Sequence, residues 1–158
     1  MLVFRILCAI LVAWAVNWAL ARPEAIEMLT ELPEMRVIGP IAGAAIGYFN
    51  LAVRQGWGPI VAVANGIWTG VLSVGGAGIL YLTYDMTRAV STNVVRDSES
   101  FFNAFSASFQ PLVEQVVNIP LLTVSLGATA FVGLVTEIIH WLLVRARGGG
   151  VRRAGDDY

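Results

Sequence analysis

The sequence predicts an all-α polytopic membrane protein: a four-transmembrane-helix bundle of two hairpins, with an additional periplasmic amphipathic helix at the interface. Three observations predict it. Apolar runs recur at about residues 2–21, 37–53, 59–84 and 121–144. A helix rises about 1.5 Å per residue, so about 20 residues match a hydrocarbon core of about 30 Å. The runs are continuous rather than alternating. That selects helices over barrel strands, the other structure that satisfies every backbone group in lipid. Composition agrees, with 57% hydrophobic residues, 13% charged and a mean hydropathy of +0.72. These values lie outside the range of ordinary soluble domains. Residues 1–147 read as one transmembrane domain and 148–158 as a flexible cytoplasmic tail.

Formal net charge is −1, which gives no electrostatic basis for a nucleic-acid partner. The single cysteine, Cys8, lies inside the first apolar run. One thiol supports neither a disulfide framework nor a thiolate metal cage.

The first run is predicted to stay as a helix rather than leave as a signal peptide. It is long, and it carries Trp14 and Trp18, four residues apart on one face, where an aromatic belt meets the headgroups. Every basic residue is arginine. With four spans, Arg5, Arg54, Arg145, Arg147, Arg152 and Arg153 fall on one side, and Arg22, Arg36, Arg88 and Arg96 on the other. The positive-inside rule then places both termini in the cytoplasm.

The first outer segment carries Glu24, Glu27, Glu31 and Glu34 at helical spacing, read as the solvated face of a short helix. The second span follows with Gly39, Gly43 and Gly47, and the third with Gly66 and Gly70. Glycines one turn apart strip side chains from a stripe and admit a neighbouring backbone. In lipid such packing drives helix association. The expectation is that spans two and three meet glycine face to glycine face, or that one stripe serves an oligomer or partner. Between them, Arg54-Gln-Gly-Trp-Gly-Pro59 reads as a tight turn with left-handed glycines and Pro59 opening the next helix.

Beyond Tyr84 the chain turns polar, then amphipathic over about 98–117. Ser98 is the expected cap. Phe101, Phe105 and Phe109 recur every four residues, and Leu112, Val113, Val116 and Val117 extend the stripe past Pro111. Few charges and a phenylalanine edge predict a helix in the interface or docked on the bundle. Glu114, Gln115 and Asn118 argue against a fifth span, and Pro120 opens the last one.

Polar groups at membrane depth are costly and mark either a pathway or an internal pair. Arg5, Asn50, Arg54, Asn65, Glu137 and His140 all fall in the cytoplasmic third. Glu137 and His140 share a helix face, but metal sites in helix bundles need that pair twice, with further carboxylates. The chain has one histidine, so no metal is expected. The expected structural role is an ion pair of Glu137 with Arg54 or Arg5, with Asn65 joining across the turn. The functional alternative is a proton or oxyanion site. No nucleophile elbow, phosphate loop or dinucleotide fingerprint is present, and neither catalysis nor a cofactor is expected.

Ala-Gly-Ala-Ala-Ile-Gly-Tyr (42–48), Ala-Val-Ala-Asn-Gly-Ile-Trp-Thr-Gly (62–70) and Leu-Val-Thr-Glu (134–137), followed by Arg145 and Arg147, resemble the TrgA family of bacterial tellurite-resistance membrane proteins. The order of segments over most of residues 1–147 is similar too. The resemblance implies a non-enzymatic protein of the bacterial inner membrane associated with tellurite resistance, and brings no catalytic or binding residues with it. Lipid is one expected partner, and a second copy or another membrane subunit the other. Two alternatives stay open: an accessory subunit of a larger membrane complex, and a small oligomeric oxyanion or proton transporter.

Overall fold

The computed structural model describes residues 2–116 and 118–146. They form six α-helices: α1 (Leu2–Leu20), α2 (Ile26–Glu31), α3 (Met35–Phe49), α4 (Pro59–Ser91), α5 (Ser98–Val116) and α6 (Ile119–Ala146). Single 3₁₀ turns precede α2 (Pro23–Ala25) and follow α3 (Leu51–Val53). Four helices are long and apolar enough to cross a membrane: α1, α3 with its trailing turn, α4 and α6. The tail predicted at 148–158, with Arg147 and Val117, lies outside the described residues.

The bundle is two closely packed pairs, α1 on α3 and α4 on α6, joined by α3 against α4 and α1 against α6. Here the sequence expectation is corrected. The two glycine stripes do not meet each other; each is covered by a different helix. A β-carbon on Gly47 would lie 2.8 Å from the Cys8 carbonyl oxygen, and one on Gly43 2.9 Å from Val16 Cγ2. One on Gly39 would lie 3.0 Å from Leu20 Cδ1. The second-span stripe therefore receives α1 along its whole length. Gly66 and Gly70 face α6, where a β-carbon would run into the carbonyl and hydroxyl oxygens of Thr129. On α6, a β-carbon added to Gly133 would in turn run into the Ala62 carbonyl and lie 2.9 Å from Gly66 Cα. The α3–α4 contact is looser: a β-carbon on Gly76 would lie 3.8 Å from Ala42 Cβ and 3.9 Å from Ile46 Cγ1, an ordinary van der Waals contact. The glycine stripes of α3 and α4 are taken up by α1 and α6, which leaves Ala42 and Gly76 at the contact between them.

Polarity is distributed as lipid, not water, requires. Thr69, Ser73, Ser125, Thr129 and Thr136 are buried, whereas Ile10, Trp14, Ile60, Ile79, Phe131 and Ile138 point outward. The Thr69, Ser73, Thr129 and Thr136 hydroxyls bond a carbonyl three or four residues back on their own helix, as Ser73 does to Thr69 at 2.7 Å and Thr136 to Gly133 at 2.9 Å. A hydroxyl satisfied this way can lie in an apolar interior at little cost. So contiguous an outward apolar surface is foreign to monomeric soluble domains.

α4 outruns its predicted end at Tyr84 and continues to Ser91. At about 1.5 Å per residue it is about 50 Å long, well beyond a bilayer core. A Schellman arrangement stops it: Val94 N–H bonds the Ala89 carbonyl at 3.0 Å and Asn93 N–H the Val90 carbonyl at 3.1 Å. Asn93 takes the left-handed turn at φ 58°, a role this residue tolerates better than most.

The overhang carries α5. Ser108 donates to the Asp85 carboxylate of α4, Gln115 Nε2 donates to Glu31 Oε2 at 2.8 Å, and Leu112 is buried between them. The docking face of α5 is thus Ser108, Leu112 and Gln115. Phe101, Phe105 and Phe109 form a separate row, with centroid spacings of 6.4 and 5.5 Å between successive, nearly parallel rings. They face outward. The cap is Asp97 rather than Ser98: its Oδ1 accepts the Ser100 N–H at 2.8 Å, and Ser100 Oγ accepts the Asp97 N–H at 3.0 Å. This reciprocal pair is a capping box with serine in the returning position.

Two expectations follow. Gly66→Ala should destabilise the detergent-solubilised bundle by about 1–3 kcal/mol, because the obstructing atoms are backbone. Gly75→Ala, whose β-carbon meets nothing within 4 Å, should gain up to about 1 kcal/mol from helix propensity. Equal effects in an unfolding titration would contradict this packing. For the cap, the Ser100 N–H and then its hydroxyl hold the Asp97 carboxyl below its usual value. A lowered folded pKa contributes stability above the unfolded value of about 3.9, lost as pH falls through the folded one. The Ser100 amide resonance should therefore hold steady down to about pH 4 and move only below it. Asp97→Ala should remove that titration.

Candidate functional site

The residues singled out at membrane depth gather at the end of the bundle that holds the start of α1 and the end of α6. Phe4 and His140 touch there, edge to face, with ring centroids 5.6 Å apart. Gly56 and Gly58, in the turn between α3 and α4, adopt φ of 93° and 98°. These angles belong to glycine, and the turn aims both amides at one point. Glu137 of α6 fills it: Gly56 N–H donates to Oε2 at 2.7 Å and Gly58 N–H to Oε1 at 2.9 Å. Gly58 is also the N-cap of α4, with no side-chain cap of its own. The carboxylate thus sits at the positive end of a long helix dipole and takes the capping role from 79 residues away.

The expected partnership of Glu137 with Arg54 or Arg5 is corrected by this geometry. Arg54 is exposed and contributes its backbone carbonyl, which accepts from Asn65 Nδ2 at 3.0 Å. The Arg5 guanidinium lies over the Tyr48 ring, 5.7 Å from its centroid. Two amides held by the turn bond a carboxylate without ordering a long flexible side chain, which gives them the entropic advantage over arginine. Among the described residues the salt bridge is Arg88–Glu34, 3.7 Å, at the opposite end.

Asn65 bonds across the turn to the Arg54 backbone rather than to an ion pair, and Asn50 extends the network. Asn50 Nδ2 donates to Thr69 Oγ1 at 3.0 Å, and Thr69 Oγ1 donates to the Asn65 carbonyl at 2.7 Å. α3, the turn and α4 are stitched together. Gln55, fully buried, donates to the Leu51 carbonyl at 3.1 Å, while its Oε1 has no partner. His140 Nε2 is buried without a partner as well. No three His, Cys, Asp or Glu side chains among the described residues are placed to hold a metal ion.

Of the six polar residues named from sequence, Asn50, Asn65 and the Arg54 backbone form one network, and Glu137 closes the same turn. Arg5 and His140 stand apart, each against an aromatic ring. Gly56 and Gly58 were legible as left-handed turn glycines but not as donors to Glu137. Gly133 was missed; its signal is Thr129 four residues earlier, a small-residue pair facing Gly66. At the other end Glu31 and Glu34 leave the purely solvated acidic face, held by Gln115 and Arg88. No family model, curated protein or solved structure matches the chain.

Removing the carboxylate should orphan two donors, at about 1–3 kcal/mol each. Glu137→Ala should therefore lower stability by about 2–6 kcal/mol and speed hydrogen exchange at Gly56 and Gly58. Arg54→Ala should stay within about 0.5 kcal/mol of the parent. An Arg54 effect matching that of Glu137 would restore the ion pair.

Proposed function

We propose that this chain is a non-enzymatic, multi-pass protein of the bacterial inner membrane, of the TrgA tellurite-resistance type, with both termini cytoplasmic. One observation carries the reading. The strings that resemble TrgA are those whose residues build the bundle: Gly43 and Gly47 against α1, Asn65, Gly66 and Gly70 along the turn and α6, and Glu137 in the amide clamp. A resemblance concentrated on contact positions supports a shared architecture. Both Glu137 oxygens are engaged in holding a turn, which favours a structural role over proton or oxyanion transfer.

The orientation rests on the arginines. Arg5, Arg54 and Arg145 stand at the clamp end, and the positive-inside rule makes that end cytoplasmic. α5 and the α4 overhang then lie on the periplasmic side, with Phe101, Phe105 and Phe109 in the headgroup region, as suits an interfacial amphipathic helix. Lipid is the first partner in this reading. The glycine stripes are covered within the chain, so a second copy or another subunit would meet outward residues. The row of stacked phenylalanines on α5 favours the second reading, an accessory subunit of a larger membrane complex.

Deleting the gene should lower tellurite tolerance, with full rescue by the parent chain and by Arg54→Ala at matched protein levels, and reduced rescue by Glu137→Ala. Unchanged tolerance in the deletion strain would refute the tellurite role. Purification in mild detergent separates the readings: stoichiometric co-purification of a different membrane protein supports the accessory subunit, and a homo-oligomer or monomer supports the first.

A further inference from the structure

Between the clamp and the α5 cover, the bundle leaves a cavity of about 70 Å³ to which all four long helices contribute. Its walls include Val16, Leu20, Met28, Met35, Ala77 and Leu121. Polar side chains are scarce there, namely Ser73, Gln115 and Ser125. Ser73 Oγ bonds the Thr69 carbonyl, and the Gln115 amide nitrogen bonds Glu31. A water molecule needs two to four polar partners to remain in a cavity, and a carbon-lined space without them stays dry and accepts apolar guests. The volume is about half that of an engineered cavity, about 150 Å³, that holds benzene. It suits a xenon-sized atom or a few carbons of a chain.

The cover is built to be displaced rather than fused to the walls. Met28 of α2 and Gln115 of α5 close the periplasmic-side end, and the Gln115–Glu31 bond joins the two pieces directly across it. α5 is otherwise fastened by Ser108 to Asp85 and by Leu112, which lies over Gly78. Two side-chain hydrogen bonds and one leucine are a small fastening beside the glycine contacts of the long helices. Local opening is cheapest where few buried apolar contacts hold an element.

We propose that this cavity is a binding site for an alkyl group, either a small lipid-soluble molecule or the end of a lipid chain, admitted by movement of the α2–α5 cover. It does not depend on a role in tellurite resistance. The cavity wall is almost entirely carbon, with too few polar groups to select a polar ligand.

Methionine methyl groups report on it directly. Met28 and Met35 line the cavity, and Met86, on α4 beyond its predicted transmembrane end, serves as the control. In the ¹³C-methyl-methionine protein in phosphatidylcholine nanodiscs, xenon and n-pentane should each shift the Met28 and Met35 signals saturably and leave Met86 nearly still. Nuclear Overhauser contacts from those two methyls to acyl protons before any addition would identify a lipid chain as resident. Their absence together with a saturable pentane shift would identify a free molecule. Ala77→Leu and Ala19→Leu fill the space from different helices, and each should abolish the shift while the Met86 signal certifies the fold. Shifts no larger at Met28 and Met35 than at Met86, contacts to water instead, or a full response in both filled variants would overturn the proposal.

Discussion

Backbone touching backbone through glycine is the constraint from which the rest of this molecule follows. Hydrocarbon solvent removes the incentive to bury apolar side chains, so helices adhere through dispersion and close fit. Gly47 lies against the Cys8 carbonyl, and Gly66 and Gly133 press on each other and on opposing carbonyls. Such contacts fix both distance and register, because a carbonyl oxygen cannot rotate aside as a long side chain can. The two pairs they create are rigid, and the softer α3–α4 and α1–α6 contacts join them. Next to α2 and α5, where both pairs contribute walls, space remains.

Hydrogen bonding completes what packing begins, and differs at the two ends. At one end a single carboxylate answers two amides of a turn, and two asparagines tie that turn to the helix after it. Those donors and acceptors are fixed by backbone or short side chains. At the other end, glutamate, aspartate, glutamine and serine bridge separate elements side chain to side chain, with no backbone group in either bond. One end is clamped and the other latched.

The fold was legible where a single helix carries its own information. Continuous apolar length announced the four long helices, and glycine with proline announced the turn before α4. The left-handed angles at Gly56 and Gly58 follow from residue type alone. Partner choice was not legible. A stripe at Gly39, Gly43 and Gly47 says that something approaches closely, yet the β-branched ridge of Val12 and Val16 on α1 carries no motif of its own. Likewise Glu137 reads as a charge in search of an arginine, because sequence shows side chains and hides the backbone amides it bonds. Asp97 displaced Ser98 as the cap through one residue of register, a shift that only backbone geometry decides.

The clamp also orders events during synthesis. Gly56 and Gly58 leave the ribosome about eighty residues before the glutamate that binds them, and chains emerge from the N-terminus. Throughout that interval the head of α4 lacks its cap, and the face of Gly66 and Gly70 lacks α6. A nascent chain that has inserted three helices is therefore unfinished in its backbone hydrogen bonding as well as its packing. Arrival of the fourth long helix completes both together, which makes it the segment that commits the bundle.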